Sequence, residues 1–343
     1  MKILNIYNNS IDIETLAEKN YVITIGNFDG CHIGHQKLIN TALALGDQLN
    51  HKILLFTFDP NPKEFFAYNG EKELIFCKSQ KIRVFTELGF DGIYFQKFDS
   101  DFIKTSHEIF YREFLLKNLK PSAIIVGENF RFGSKRIGSV DYLKNQTKLD
   151  SISLHTEPSV VFDGITISSS KIRELIKYNG DFFTVTKMLG RPFSLEGVII
   201  PGDKLGRTIG FPTANLGETN QLIPKKGVYA GHVCYENSQN KPFPLMSLPP
   251  DAIPALINVG FRPTVSLKND LRIEAHLLNM TLGPDALYGK KAIFYFEKFI
   301  REEALFESIN HLRNQILIDI AEAKKFFINE KNRQEKLIPF PSI

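Results

Sequence analysis

The sequence predicts two joined folds, an α/β domain built on a parallel sheet followed by a small antiparallel β-barrel with a terminal helix. Three observations carry this expectation. In the first half, short apolar runs alternate with segments of helical spacing, as strand–helix units of a parallel sheet require. From Phe193 onward, short β-type runs follow one another across Gly, Pro and Asn clusters, the texture of a small barrel. Near the end, Ile309, Leu312, Ile316, Ile320, Ala323 and Phe327 form one apolar helical stripe, expected to pack on the barrel.

The first-half elements read in order. Tyr21–Ile25 is an apolar strand, followed by a glycine-rich turn and a helix carrying Leu38, Ile39, Ala42, Leu45 and Leu49. Ile53–Phe58 is the next strand, stopped by two prolines in Asp59–Pro62. Ser79–Leu88 has helical spacing through Ile82, Phe85 and Leu88 and ends at Gly89. Gly92–Phe95 is a short strand, Phe110, Phe114 and Leu115 sit on a helix closed off by Pro121, and Ala123–Val126 runs into Gly127. Ligands of such sheets lie at the carboxyl ends of the strands.

Three polar motifs fall at those ends. Gly26-Asn-Phe-Asp-Gly-Cys-His-Ile-Gly-His35 joins a strand to a helix and holds two imidazoles, His32 and His35, beside an open helix N-terminus. Amides there favour anions and imidazoles donate to phosphate oxygens, so the turn looks like that of a nucleotidyltransferase, in which a nucleophile attacks the α-phosphate of ATP. The plainer reading is a tight turn with helix-capping histidines. Gly127–Gly133 offers Asn129, Arg131 and two phenylalanines, and an Arg between two Phe residues also fits cation–π packing at a surface. Ile167–Arg173 places Ser168, Ser169 and Ser170 ahead of a helix with Lys171 and Arg173. Serines there serve as N-caps or wrap a polyphosphate.

Asn179-Gly180-Asp181 stops one helix and starts another, so the first domain is expected over residues 1–184, the second over 185–330, and a tail over 331–343 that reads as mobile. The second half shows strands at Ser194–Ile200, Val228–Glu236, Ala255–Val259, Arg272–Leu278 and Lys291–Phe299. Gly202–Asn215 combines Lys204, Gly210, Thr213 and Asn215 in a loop whose amides approach phosphate and whose Thr213 hydroxyl suits a magnesium ion carried by ATP. Its spacing is not that of a P-loop, and a flexible hairpin loop is the alternative. Glu274, amid apolar strand residues, is either salt-bridged or a general base for an alcohol attacking a γ-phosphate.

Composition sets limits. The chain has 343 residues, 43% hydrophobic and 23% charged, with a net charge of +4, which suits two globular domains and offers no strong field for nucleic acid. Its three cysteines, Cys31, Cys77 and Cys234, are too scattered for a disulfide framework or a structural zinc site. No apolar run approaches the roughly 20 residues of a membrane span, and the first residues lack a signal-peptide core, so a cytoplasmic protein with no membrane partner is expected. Oligomeric state is left open.

Taken together, the motifs resemble the bacterial bifunctional riboflavin kinase/FMN adenylyltransferases, or FAD synthetases. Beside the motifs above, Gly190–Phe193, Gly227–Ala230, Asn258–Thr264, Glu274–Leu278 and Leu287–Gly289 carry the likeness, which runs from about Val22 to about Ala323. The resemblance implies a Rossmann-like nucleotidyltransferase domain and a riboflavin-kinase-type barrel. It implies that riboflavin is phosphorylated to FMN and FMN adenylylated to FAD, with ATP as co-substrate and Mg²⁺ in each domain. His32 and His35 would stabilise the α-phosphate, with Gly26, Phe28 and Asp29 near the nucleotide. Asn129 and Arg131 would serve the flavin and phosphate side, and Ser168, Ser169 and Arg173 the outer phosphates. In the second domain Lys204, Gly210, Thr213 and Asn215 would bind Mg–ATP, and Glu274 would activate the riboflavin 5′-hydroxyl. The loop over Gly202–Gly210 would close on the nucleotide. Asn61, Glu128, Lys171 and Phe261 depart from the family's usual residues, and Pro242–Pro250 reads as a surface excursion longer than the usual connection.

Overall fold

The computed structural model describes residues 2–6, 20–67, 71–236, 246–261, 271–278 and 286–334. The chain forms two compact units, Met1–Arg173 with Asn220–Leu222, and Glu174–Thr219 with Ile223–Ile343.

The first unit is a six-stranded parallel sheet. Its strands are β1 (Lys2–Ile6), β2 (Tyr21–Ile25), β3 (Lys52–Asp59), β4 (Gly92–Lys97), β5 (Pro121–Gly127) and β6 (Ser153–Glu157), in the order β1-β4-β3-β2-β5-β6. Helices α1 (Ile33–Leu49), α2 (Lys78–Glu87) and α3 (Val140–Leu149) join them. The central strands are buried along their length, as parallel strands covered on both faces are. Ile23, Phe56, Tyr94 and Val126 pack with Phe110, Tyr111 and Leu115. That last segment departs from the expected α-helix: after one turn at His107–Ile109 the chain is π-helical over Phe110–Lys117. Pro121, expected to close a helix, opens β5. Two strands of this sheet escaped the sequence reading. β1 was read only for a leader segment, and β6 is partly exposed at Ser153 and Thr156, so it lacks an apolar run.

Helix α4 (Ser169–Glu174) closes the first unit, all but its last residue belonging there, and the second unit contains α5 (Phe182–Leu189). The boundary expected at 184/185 falls inside α5. Phe182 packs edge-on against Tyr229 and beside Phe193 and Phe296, so the helix is anchored to the barrel by its own aromatic residue. Strands β7 (Phe193–Ile200), β8 (Ala214–Leu216), β9 (Gly227–Tyr235), β10 (Ile253–Phe261), β11 (Leu271–Leu277) and β12 (Lys291–Arg301) close into a barrel in the order β7-β8-β11-β10-β9-β12. Short helix α6 (Leu205–Thr208) lies between β7 and β8. All neighbouring pairs are antiparallel, so a closed six-stranded antiparallel barrel stands where one was expected. β8, only three residues long, is the strand the sequence reading missed.

Helix α7 (Ile309–Gln334) covers the barrel. Ala323 is fully buried against Val228, Ala230 and Leu256, with Ile316, Ile320 and Phe327 half-buried beside it. Ile309, expected on that stripe, is 60% exposed. The helix also continues past residue 330, so the expected tail starts later, and residues 335–343 lie outside the described residues. Buried Asp319 on α7 takes three hydrogen bonds from the Arg301 guanidinium at 2.7–3.1 Å, which fixes the helix to the end of β12. Of the expected excursion at Pro242–Pro250, only residues 246–250 are described.

Candidate active sites

In the first unit the direction of winding reverses between β2 and β5. β3 and β4 extend the sheet on one side of β2, while β5 and β6 extend it on the other. A crevice outside the carboxyl ends of such strands is the usual ligand position. Two of the sequence motifs, Gly26–His35 after β2 and Gly127–Gly133 after β5, emerge there.

His32 is the N-cap of α1, and its Nδ1 accepts the His35 backbone N–H at 3.3 Å. The two imidazoles stack, with centroids 3.6 Å apart and planes 15° from parallel. Buried Phe28 lies 5.0 Å from the His35 ring and edge-on to Phe85. Phe28 and Cys31 both adopt positive φ, 46° and 43°, a costly conformation for residues with a Cβ. Strain held at that spot marks a turn shaped for something besides chain reversal.

Asp29, 1% exposed, does not face open space. Its carboxylate accepts the N–H groups of Phe76 at 2.8 Å and Ile75 at 3.3 Å, and forms an ion pair with Arg173. Arg173 also donates through Nε to the Glu73 carbonyl at 2.7 Å. Ser169 Oγ donates to the Asp29 carbonyl at 2.9 Å, and Ser168 Oγ caps α4 by accepting Lys171 N–H at 3.2 Å. The turn, the 73–76 loop and α4 are therefore bound into one body. Gly26, Phe28, Asp29, His32, His35, Ser168, Ser169 and Arg173 share this neighbourhood.

Asn129 and Arg131 lie at the end of β5. The Asn129 amide donates to Ser159 Oγ at 3.1 Å, and exposed Arg131 lines a small cavity of about 140 Å³ with Glu128, Ser139 and Lys144. Glu128 accepts the Ser159 N–H at 2.8 Å, which holds its carboxyl below the usual range. Asn61 caps the short helix Pro62–Phe65 by accepting Lys63 N–H at 3.0 Å.

Lys81 is a residue the sequence reading passed over. It is 4% exposed on α2, and its ammonium donates to the Asn27 carbonyl at 2.7 Å and to Thr57 Oγ1 at 3.1 Å. Burial pushes it down to about 8, against the pull of Asp29 and Asp59. A signal existed: Lys81, Phe85 and Leu88 share one helical face.

In the second unit a cavity of about 510 Å³ is lined by Lys204, Thr213, Asn258 and Glu274, among others. Glu274 on β11 is paired in register with Asn215 on β8 and with Asn258 on β10. Cross-strand partners present side chains on one face, which places a carboxylate between two amides. Ile273, Ala275 and Leu277 point into the core while Arg272, Glu274 and His276 take the opposite face. A Cβ at Gly202 would overlap the Asn215 amide, so glycine is the residue that lets the loop lie there. His276 Nδ1 is 2.9 Å from the carbonyl of Pro212, which fixes the approach to Thr213. Gly210, at φ +91°, turns the loop after α6 without lining the cavity.

Glu274 is not tightly salt-bridged. Its Oε1 lies 3.8 Å from Arg272 Nη1, whose own partner at 2.8 Å is Asp203. Burial raises its carboxyl; Arg272 lowers it and Asp203 raises it further. Arg272, Asp203, Asn258 and His276 were not assigned roles from sequence, although alternation about Glu274 puts two of them on its face.

Comparison with known proteins bears on the whole chain. Residues 14–171 match the FAD synthetase family and residues 189–327 match the riboflavin kinase family. The chain is 34% identical to a bifunctional riboflavin kinase/FMN adenylyltransferase of Buchnera aphidicola subsp. Schizaphis graminum, over 90% of this chain and 94% of that one. It is 32% identical to the protein of the same description from Escherichia coli K12, over 92% and 96%. A crystal structure described as a macrolide-efflux protein from Streptococcus pneumoniae matches with a TM-score of 0.78 at 25% identity, over 94% of this chain and 98% of that one. Among the described residues no helix is long and apolar enough to cross a membrane. Two family matches in tandem, and relatives above 30% identity along nearly their full length, place the chain in the bifunctional riboflavin kinase/FMN adenylyltransferase family.

Proposed function

We propose that this chain converts riboflavin to FMN in its second unit and FMN to FAD in its first, using one ATP at each. The observation that carries the reading is the pair of separate constellations, stacked imidazoles at a helix N-terminus in one unit and a carboxylate between two amides in the other.

In the first unit an FMN phosphate oxygen attacks the α-phosphorus of ATP, and the bond to the departing pyrophosphate breaks. His32 and His35, with the amides opening α1, donate to the α-phosphate as charge builds there. Gly26 and Phe28 shape the nucleotide floor. Asp29 and Arg173 hold the turn to its supports, and the remaining guanidinium hydrogens serve the outer phosphates with Ser168 and Ser169. Asn129 and Arg131 serve the flavin and phosphate side. No covalent enzyme intermediate is required, because orientation and charge stabilisation suffice.

In the second unit Glu274 accepts the proton of the riboflavin 5′-hydroxyl as its oxygen attacks the γ-phosphorus and ADP leaves. A carboxyl raised by burial is a better base near neutral pH. Lys204, Gly210 and Asn215 hold the nucleotide. Among the described residues no group of three or more His, Cys, Asp or Glu side chains is set to cage a metal. The Thr213 hydroxyl, which lines the same cavity as Glu274, fits a magnesium ion carried mainly on ATP phosphates, where it would neutralise developing charge. We place the functional boundary at 184/185 and the protein in the cytoplasm, where its nucleotide is supplied.

Chromatography of products after incubation with riboflavin, ATP and Mg²⁺ tests the reading. FMN followed by FAD is expected. Binding of flavin without ATP consumption would overturn it in favour of a flavin-sensing or storage protein.

A further inference from the structure

Beside Glu274 stands a charged pair with no part in the roles assigned above. Arg272 precedes Glu274 by two residues on β11, so both side chains leave the same face. Its guanidinium grips Asp203 at two points, Nη1 to Oδ2 at 2.8 Å and Nη2 to Oδ1 at 3.4 Å. The same Nη1 stands 3.8 Å from Glu274 Oε1, too long for a hydrogen bond and close enough for charge to be felt. Asp203 belongs to the loop that follows β7 and leads through Lys204 into α6, the loop assigned to the nucleotide. One cation is thus shared between a loop carboxylate and the proposed base.

We propose that Arg272 is a positioning residue for phosphoryl transfer, and that Asp203, by holding its guanidinium, sets how strongly Arg272 acts on Glu274. The proposal rests on the reading of Glu274 as the base. Removing the Arg272 charge leaves a half-buried carboxylate harder to ionise. Removing the Asp203 charge does the opposite, because it takes away a repelling carboxylate and leaves the guanidinium to Glu274 alone. These opposed signs agree with the opposite pulls of the two residues on the Glu274 carboxyl. Flanking strands contribute only neutral Asn215 and Asn258 at this register. The other charged groups on the cavity wall are Lys204, His276 on β11, Arg301 and Glu303 at and beyond the end of β12, and Asp319 on α7. Arg301 and Asp319 are joined to each other, and His276 is held at the Pro212 carbonyl.

The test is the pH dependence of kcat for FMN formation from riboflavin and Mg–ATP in the full-length protein. Its variants are Arg272→Gln, Arg272→Lys, Asp203→Asn and Glu274→Gln, with FAD formation from supplied FMN as the check on folding. Full FMN formation by Glu274→Gln would remove the base, and this inference with it. With that variant inactive, Arg272→Gln is expected to move the acid limb to higher pH, slowing the reaction on the limb on the order of threefold or more. Asp203→Asn is expected to move the limb to lower pH, and Arg272→Lys to restore the wild-type position. Limbs that coincide with wild type in both variants, or move the same way in both, would overturn the positioning role while leaving the base intact.

Discussion

Asn215 and Glu274 stand opposite one another in register across β8 and β11. The three-residue strand β8 thereby delivers the end of the Gly202–Asn215 loop to the face of the barrel that holds the carboxylate. Because Glu274 is half-buried and only loosely paired, its proton affinity is set by burial first and by Arg272 and Asp203 second.

Glu274→Gln keeps the shape of the side chain and removes its basicity. The expected result is a loss of about 10²–10⁴-fold in kcat for FMN formation. The KM for riboflavin should change little, and FAD formation from FMN should be retained. Steady-state kinetics on each substrate check this.

In the first unit, His32→Ala and His35→Ala each remove a donor from the proposed α-phosphate position. FAD formation from FMN should fall by roughly 10²–10³ in kcat. His32→Ala also deletes the α1 cap, a cost of about 1 kcal/mol. FMN formation from riboflavin should be spared in both.

Arg173→Met leaves the Asp29 carboxylate buried without its cation. Breaking such a pair costs about 3–5 kcal/mol, since both side chains are less than one-tenth exposed. Urea unfolding followed by FAD-forming activity should show a lower midpoint, and substituting both residues with apolar ones should recover part of it.

Lys81 gives the stability a signed dependence on pH. Burial lowers its ammonium from 10.5 to about 8. Below about pH 8 folded and unfolded chains both hold the proton, so the folded chain bears the full cost of a buried charge. Between about pH 8 and 10.5 the folded chain releases the proton while the unfolded chain keeps it, so this group's contribution to stability rises with pH. Compared with Lys81→Met, the wild type should therefore gain stability as pH is raised through that window. Denaturant midpoints of both proteins at two pH values, one below and one within the window, check the sign.

Much of this was legible in the sequence, for identifiable reasons. Tyr21–Ile25 and Ile53–Phe58 are apolar runs because the sheet is covered on both faces, and such runs announce themselves. The closed barrel followed from short runs at regular spacing. β6 was not legible because its residues are mixed polar and apolar, and β8 because three residues make no pattern. The packing of Phe182 was not legible either, because it belongs to the barrel's aromatic cluster, which no local signal reports. Within the sites, His32, His35, Thr213 and Glu274 stood out by residue type. The engagement of Asp29 with Arg173, across 144 positions, and of Arg272 with Asp203, across 69, depends on tertiary contact and could not be read locally.

A crossover assay probes the division of labour most directly. Full-length His32→Ala and Glu274→Gln proteins are each given riboflavin, then FMN, with Mg–ATP. The former should make FMN at the wild-type rate yet almost no FAD, and the latter the reverse. Equal loss of both conversions in both proteins would contradict the assignment of one reaction to each unit.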